Sequence, residues 1–125
     1  MADTDREPRG RRVLVVEDEL LIGLDLQATI EKAGHDVIGP VPSIRKALAA
    51  IEKDAPDAAL LDANLAGVSS LPVAEALKLR DIPFGVVSGY ASLDAEGEAL
   101  RGAPRLDKPF DASEVVRLLQ RICCD

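Results

Sequence analysis

The chain has 125 residues, 47% hydrophobic and 30% charged, the balance of one globular domain large enough to bury a core. Its formal charge of -7 excludes an electrostatic footprint for nucleic acid, and no apolar stretch is long enough to span a membrane. No signal-peptide pattern opens the chain, so a cytoplasmic location is expected, and two adjacent cysteines, Cys123 and Cys124, build no disulfide framework.

Residues 1–11 are charged, broken by Pro8 and Gly10, and lack periodicity, which predicts a disordered tail. Val13-Leu14-Val15-Val16 then reads as a buried strand closed by Glu17-Asp18-Glu19. A helix follows from about Glu19 to Ala33, stopped by Gly34. It carries more apolar residues than one core-facing stripe needs, so part of it is expected to dock a partner. His35, the only histidine, falls in the next turn and is expected at the surface.

Asp36 to Val41 is a weaker strand, and Pro40 within it points to a sheet edge. Ser43 caps a helix to about Lys53, with Ile44, Ala47, Leu48 and Ile51 facing inward. Ala58-Ala59-Leu60-Leu61-Asp62 is wholly apolar until its terminal carboxylate, the pattern of a strand buried on both faces, with a loop after it. A helix with Pro72 near its first position runs to about Arg80. Ile82 to Ser88 is a further apolar strand, and Ser92 to Leu100 a weak helix containing Gly97. Pro104 to Asp107 is a short polar strand, after which Asp111 caps a last helix with Val115, Leu118, Leu119 and Ile122 as its core stripe.

Five βα repeats predict an α/β fold: a flavodoxin-like, doubly wound (βα)5 unit with helices on both faces of a five-stranded parallel sheet. The two proline-bearing strands belong at its edges, which gives the order 2-1-3-4-5. In that order Glu17, Asp18, Asp62, Ser88 and Lys108 converge at the carboxyl ends of the strands, where the topology reverses. Carboxylates brought together repel unless neutralised, and a hard divalent cation such as Mg²⁺ does this with oxygen ligands. A carboxylate can also attack phosphorus to give an aspartyl phosphate, a step that depends on positioning and charge neutralisation. Lys108 offers the fixed positive charge and Ser88 a hydrogen-bond donor, while Lys108-Pro109 is a candidate cis peptide.

These residues resemble the receiver domain of bacterial two-component response regulators, from about Arg12 to Ile122. The resemblance implies that Asp62 is the phosphoacceptor and that Asp18 ligates Mg²⁺ directly, with Mn²⁺ as a substitute ion. Glu17 would act through water, Asn64 through its backbone carbonyl, and Ser88 and Lys108 on the phosphoryl oxygens. The implied donors are a histidine kinase or a histidine phosphotransfer protein, docking on the first helix at Leu21, Ile22 and Asp25.

A narrower similarity is to the FAT GUY receivers, often single domains, through Asp62-Ala63-Asn64-Leu65, Ile82-Pro83-Phe84 and Ser88-Gly89-Tyr90. Two departures stand out: Val86-Val87-Ser88 replaces Phe-Ala-Thr, and Arg105 stands where most receivers carry an aromatic, three residues before the lysine. FAT GUY members likewise lack that aromatic. The readout is therefore expected from Gly89, Tyr90 and the segment to Leu100, with Arg105 beside it.

The expected organisation is a tail over 1–11, a receiver over 12–123 and no output domain, as a monomer or weak dimer without nucleic-acid or membrane partners. Its only chemistry would be self-phosphorylation and slow autodephosphorylation. Two other readings compete. One is a protein-binding module independent of phosphate, which the complete acid, hydroxyl and lysine set disfavours. The other is a phosphatase, disfavoured because Asn64 holds the place where such enzymes need a second acid.

Overall fold

The computed structural model describes residues 10–89 and 98–123. Tyr90, Cys124, most of the tail and most of the segment from Ser92 lie outside the described residues. In chain order the elements are β1 (Arg12–Val16), α1 (Leu20–Lys32), β2 (Asp36–Val41), α2 (Ile44–Asp54), β3 (Ala58–Asp62) and β4 (Asn64–Leu65). There follow β5 (Val68–Ser69), α3 (Leu71–Leu79), β6 (Phe84–Ser88), α4 (Glu98–Arg101), β7 (Arg105–Asp107) and α5 (Ala112–Cys123). Five strands form a parallel sheet in the order β2-β1-β3-β6-β7, which is the expected 2-1-3-4-5 arrangement of the principal strands.

The two-residue period of the strands splits the core between the two faces. Leu14, Val16, Ala59, Leu61 and Val86 pack with Ala47 and Ile51 of α2, Val73 and Leu77 of α3, and Leu100 of α4. Val13, Val15, Ala58, Leu60, Val87 and Leu106 pack on the other face with Leu26 and Ile30 of α1 and the Val115, Leu118, Leu119 and Ile122 stripe of α5. Gly85 belongs to this second face: a Cβ there would lie 2.9 Å from a Leu118 methyl, so its missing side chain lets α5 settle onto β6.

Local chemistry sets the ends of the helices. The Lys46 N–H donates to Ser43 Oγ at 3.2 Å, and Pro72 sits in the first turn of α3. At α5, Glu114 N–H donates to Asp111 Oδ1 and Asp111 N–H donates to Glu114 Oε1, each at 2.9 Å, a reciprocal capping box. In β2 one extra residue is inserted, since Leu14 pairs with Ile38 but Val16 with Val41. Gly39 absorbs it at φ 99°, where a Cβ would come within 2.7 Å of the Val41 nitrogen. The Gly39–Pro40 and Lys108–Pro109 peptides are cis.

Four expectations need correction. His35 is buried rather than at the surface, because the Arg11 N–H donates to its Nδ1 where the chain enters β1. Leu48 is exposed: it falls off the stripe by which Ala47, Ala50 and Ile51 bury α2. The stretch after β3 is no plain loop but a small antiparallel hairpin, with Asn64 paired to Ser69 and Leu65 to Val68, and with Leu65 buried. Order also reaches into the expected tail, since Gly10 N–H donates to Gly34 O at 2.8 Å and Asp36 N–H to Arg11 O at 2.9 Å.

Candidate functional site

Each functional side chain stands where a strand ends. Glu17 follows β1, Asp62 closes β3, Ser88 closes β6 and Lys108 follows β7. Backbone hydrogen bonds carry the ladder past these ends: Glu17 N–H to Val41 O, Ala63 N–H to Val87 O and Lys108 N–H to Ser88 O, all 2.9 to 3.0 Å. The rim is thus as fixed as the sheet beneath it. Glu17, Asp62 and Ser88 are buried there, Ser88 completely.

The structure brings Glu17, Asp18 and Asp62 together, with one oxygen from each lying within 4.8 Å of the others. Both Asp62 oxygens are held. Oδ1 accepts from the Asn64 N–H at 3.0 Å, and Oδ2 accepts from Lys108 Nζ at 3.0 Å. Lys108 Nζ also stands 3.5 Å from Glu19 Oε1 and 3.7 Å from Glu17 Oε1. Glu17 Oε2 accepts from the Glu19 N–H at 3.1 Å, whereas its Oε1 is buried with no hydrogen-bond partner among the described residues.

The electrostatics follow from this crowding. Burial pushes the Glu17 carboxyl up to about 8; the Glu19 N–H pulls it down, and Asp62 pushes it up again. For Lys108, burial alone would lower the ammonium, but Asp62, then Glu17 and Glu19, outweigh it and raise it. One ammonium faces more carboxylates than it can neutralise. The orphaned Glu17 oxygen and the three converging carboxylates therefore suit a hard divalent cation, such as Mg²⁺.

The remaining expected residues are placed unevenly. Asn64 is exposed on β4, and its Oδ1 accepts from Gly67 N–H at 2.7 Å, closing the hairpin turn. On α1, Leu20 and Leu21 are 71% and 80% exposed and Asp25 is exposed, whereas Ile22 turns inward and packs against the core. Gly89 is half-buried immediately after Ser88. Arg105 makes a contact that sequence reasoning missed: its Nη2 donates to Ser88 Oγ at 2.7 Å. The only signal for it was a guanidinium at a position otherwise given to an aromatic.

A family model described as "Response regulator receiver domain" matches residues 13–120. The phyllosphere-induced regulator PhyR of Methylorubrum extorquens is 34% identical over 112 residues, covering 87% of this chain and 42% of its own length. Sporulation initiation phosphotransferase F of Bacillus subtilis is 27% identical, covering 85% of this chain and 88% of its own length. Among solved structures, SdrG from Sphingomonas melonis Fr1 is 37% identical with a TM-score of 0.79, covering 94% of this chain and 98% of that one. The chain spans about half the length of several curated relatives that it matches.

Proposed function

The chain belongs to the response regulator receiver domain family, and on that premise we propose that it accepts a phosphoryl group on Asp62. The donor is a histidine kinase or histidine phosphotransfer protein, the classes with which receiver domains interact. The phosphorylated protein then signals by changing which proteins it binds, or relays the group onward. Receiver domains are phosphoacceptor signalling domains rather than classical enzymes. Slow self-hydrolysis at Asp62 would set the lifetime of the signal.

One observation carries this reading: a carboxylate at the end of a fully buried strand, with Lys108 Nζ 3.0 Å away and two further acids around it. In the reaction Asp62 attacks phosphorus, the P–O bond forms and the P–N bond to the donor imidazole breaks with its electron pair returning to nitrogen. Asn64 N–H on Oδ1 fixes the rotation of the attacking carboxylate. Lys108 moves its ammonium from the carboxylate to the phosphoryl oxygens, and the Ser88 hydroxyl donates to another of them. Glu17, Asp18, Asp62 and the Asn64 carbonyl are the groups to hold Mg²⁺, or Mn²⁺ in its place. The ion supplies neutralisation of phosphoryl charge when bound.

The test is intact-mass spectrometry after incubation with a small acyl phosphate, with and without Mg²⁺, on wild type and Asp62→Asn. The expected result is a single phosphoryl adduct that needs both Mg²⁺ and Asp62. No adduct from any of a panel of acyl phosphates and phosphohistidine donors would overturn the reading.

A further inference from the structure

Ser88 is fully buried, and among the described residues Arg105 is the one side chain bonded to its hydroxyl. The pairing of β6 with β7 sets this contact. Val86 faces Arg105 and Ser88 faces Asp107, so Arg105 shares the sheet face of Ser88 and reaches it diagonally along the strand. The next residue, Leu106, turns to the opposite face and into the core with α5. Arg105 is half-buried on the edge strand, on the side where Leu100 of α4 packs. It therefore spans from the reacting rim to the margin of the sheet.

The chemistry of the two groups fixes the direction of the bond. A guanidinium only donates and stays charged, while a hydroxyl has one donor and two acceptor sites. Ser88 Oγ must accept from Arg105, which turns its own hydrogen away from the guanidinium. A short bond from a charged donor also polarises the hydroxyl and makes it a better donor in turn. The adjoining strand presents Asp62 at this corner, where Asp62 pairs with Val87 beside Ser88.

We propose that Arg105 is a positioning residue for Ser88 and carries the phosphorylation state of Asp62 to the α4 side of the sheet. This rests on the phosphoacceptor reading above. With Asp62 free, Arg105 holds the hydroxyl oxygen and leaves its hydrogen unspent. With Asp62 phosphorylated, that hydrogen goes to a phosphoryl oxygen, Oγ moves toward the site, and the guanidinium follows it inward from the edge strand.

The test uses the full chain with a small acyl phosphate and Mg²⁺ on wild type, Arg105→Ala, Arg105→Lys, Ser88→Ala and the double alanine variant. Each is first shown to melt cooperatively. Because the two residues act as one unit, either alanine should lower the steady-state phosphoryl fraction about 5-fold, and the double variant no further. Arg105→Lys, which keeps a charged donor, should recover part of the loss. The Arg105 side-chain N–H resonance should shift on phosphorylation in wild type and stay still in a Ser88→Ala sample brought to equal occupancy. Unchanged phosphorylation in Arg105→Ala, losses that multiply in the double variant, or an equal resonance shift without Ser88 would each overturn the proposal. A wild type that takes no phosphate would overturn the phosphoacceptor reading and this inference with it, a result visible before any variant is compared.

Discussion

Glu17 has one carboxylate oxygen tied to the Glu19 amide and the other buried without a hydrogen-bond partner among the described residues, with Lys108 3.7 Å away. Its pKa of about 8 when folded, against an ordinary 4.5, means that the folded chain binds more protons between those limits than the unfolded one. The stability associated with the protonated group is complete below about 4.5 and is lost as pH rises through about 8. Metal-free protein should therefore melt progressively lower from pH 5 to 8.5. Glu17→Gln should flatten that slope and melt higher at pH 8.5, on the order of 5 °C. A wild-type melting temperature flat across this range would show that the carboxyl is not desolvated. Lys108 is the counterpart. Its side chain is 22% exposed, and Lys108→Gln leaves buried carboxylates without their cation, which should cost about 1–3 kcal/mol in urea titrations without metal. Because Glu17 and Lys108 face each other, Glu17→Gln in the same chain should return part of that loss.

At the scale of elements, β6 carries Ser88 and is pinned from behind by α5 through the gap that Gly85 leaves. Gly85→Val has to displace Leu118 and should destabilise by about 2 kcal/mol, measured by urea unfolding. Leu118→Ala in the same chain should recover much of the difference, since it vacates the space that the valine needs. Equal and additive losses would show that the strand, not the contact, is at fault. The five strands and their order were legible because each apolar run ends on a polar residue and the two prolines mark the edges. The acids, the hydroxyl and the lysine were legible for the same reason, since they terminate those runs. Other features were not. His35 is buried by a contact from Arg11, 24 residues away, which no local pattern encodes. The β4–β5 hairpin has two residues per strand, too few for any alternation to register. The Arg105 to Ser88 bond joins residues 17 positions apart on two strands, and only the pairing of β6 with β7 fixes their alignment.

Across the whole molecule, the acidic rim sits beside an apolar shoulder on α1, where Leu20, Leu21 and Leu24 are exposed together. On the proposed phosphoacceptor reading, a phosphohistidine protein would cover that shoulder to reach Asp62, whereas a small acyl phosphate would not. Leu21→Ser with Leu24→Ser should therefore slow phosphotransfer from a phosphohistidine protein at least about 10-fold, a loss of about 1.4 kcal/mol of docking energy. Labelling by a small acyl phosphate should be unchanged, and equal loss with both donors would remove α1 from the docking surface. The hydrogen bonds that run on beyond the strand ends have a consequence of another kind. Ala63 and Lys108 lend their amides to Val87 and Ser88, so these protons can be released only when the centre of the sheet opens. Their exchange with deuterium should be as slow as at Leu60 or Val86, and roughly 100-fold slower than at the exposed Gly67. Slow exchange at both amides would mark the residues just beyond β3 and β7 as part of the sheet's own cooperative unit.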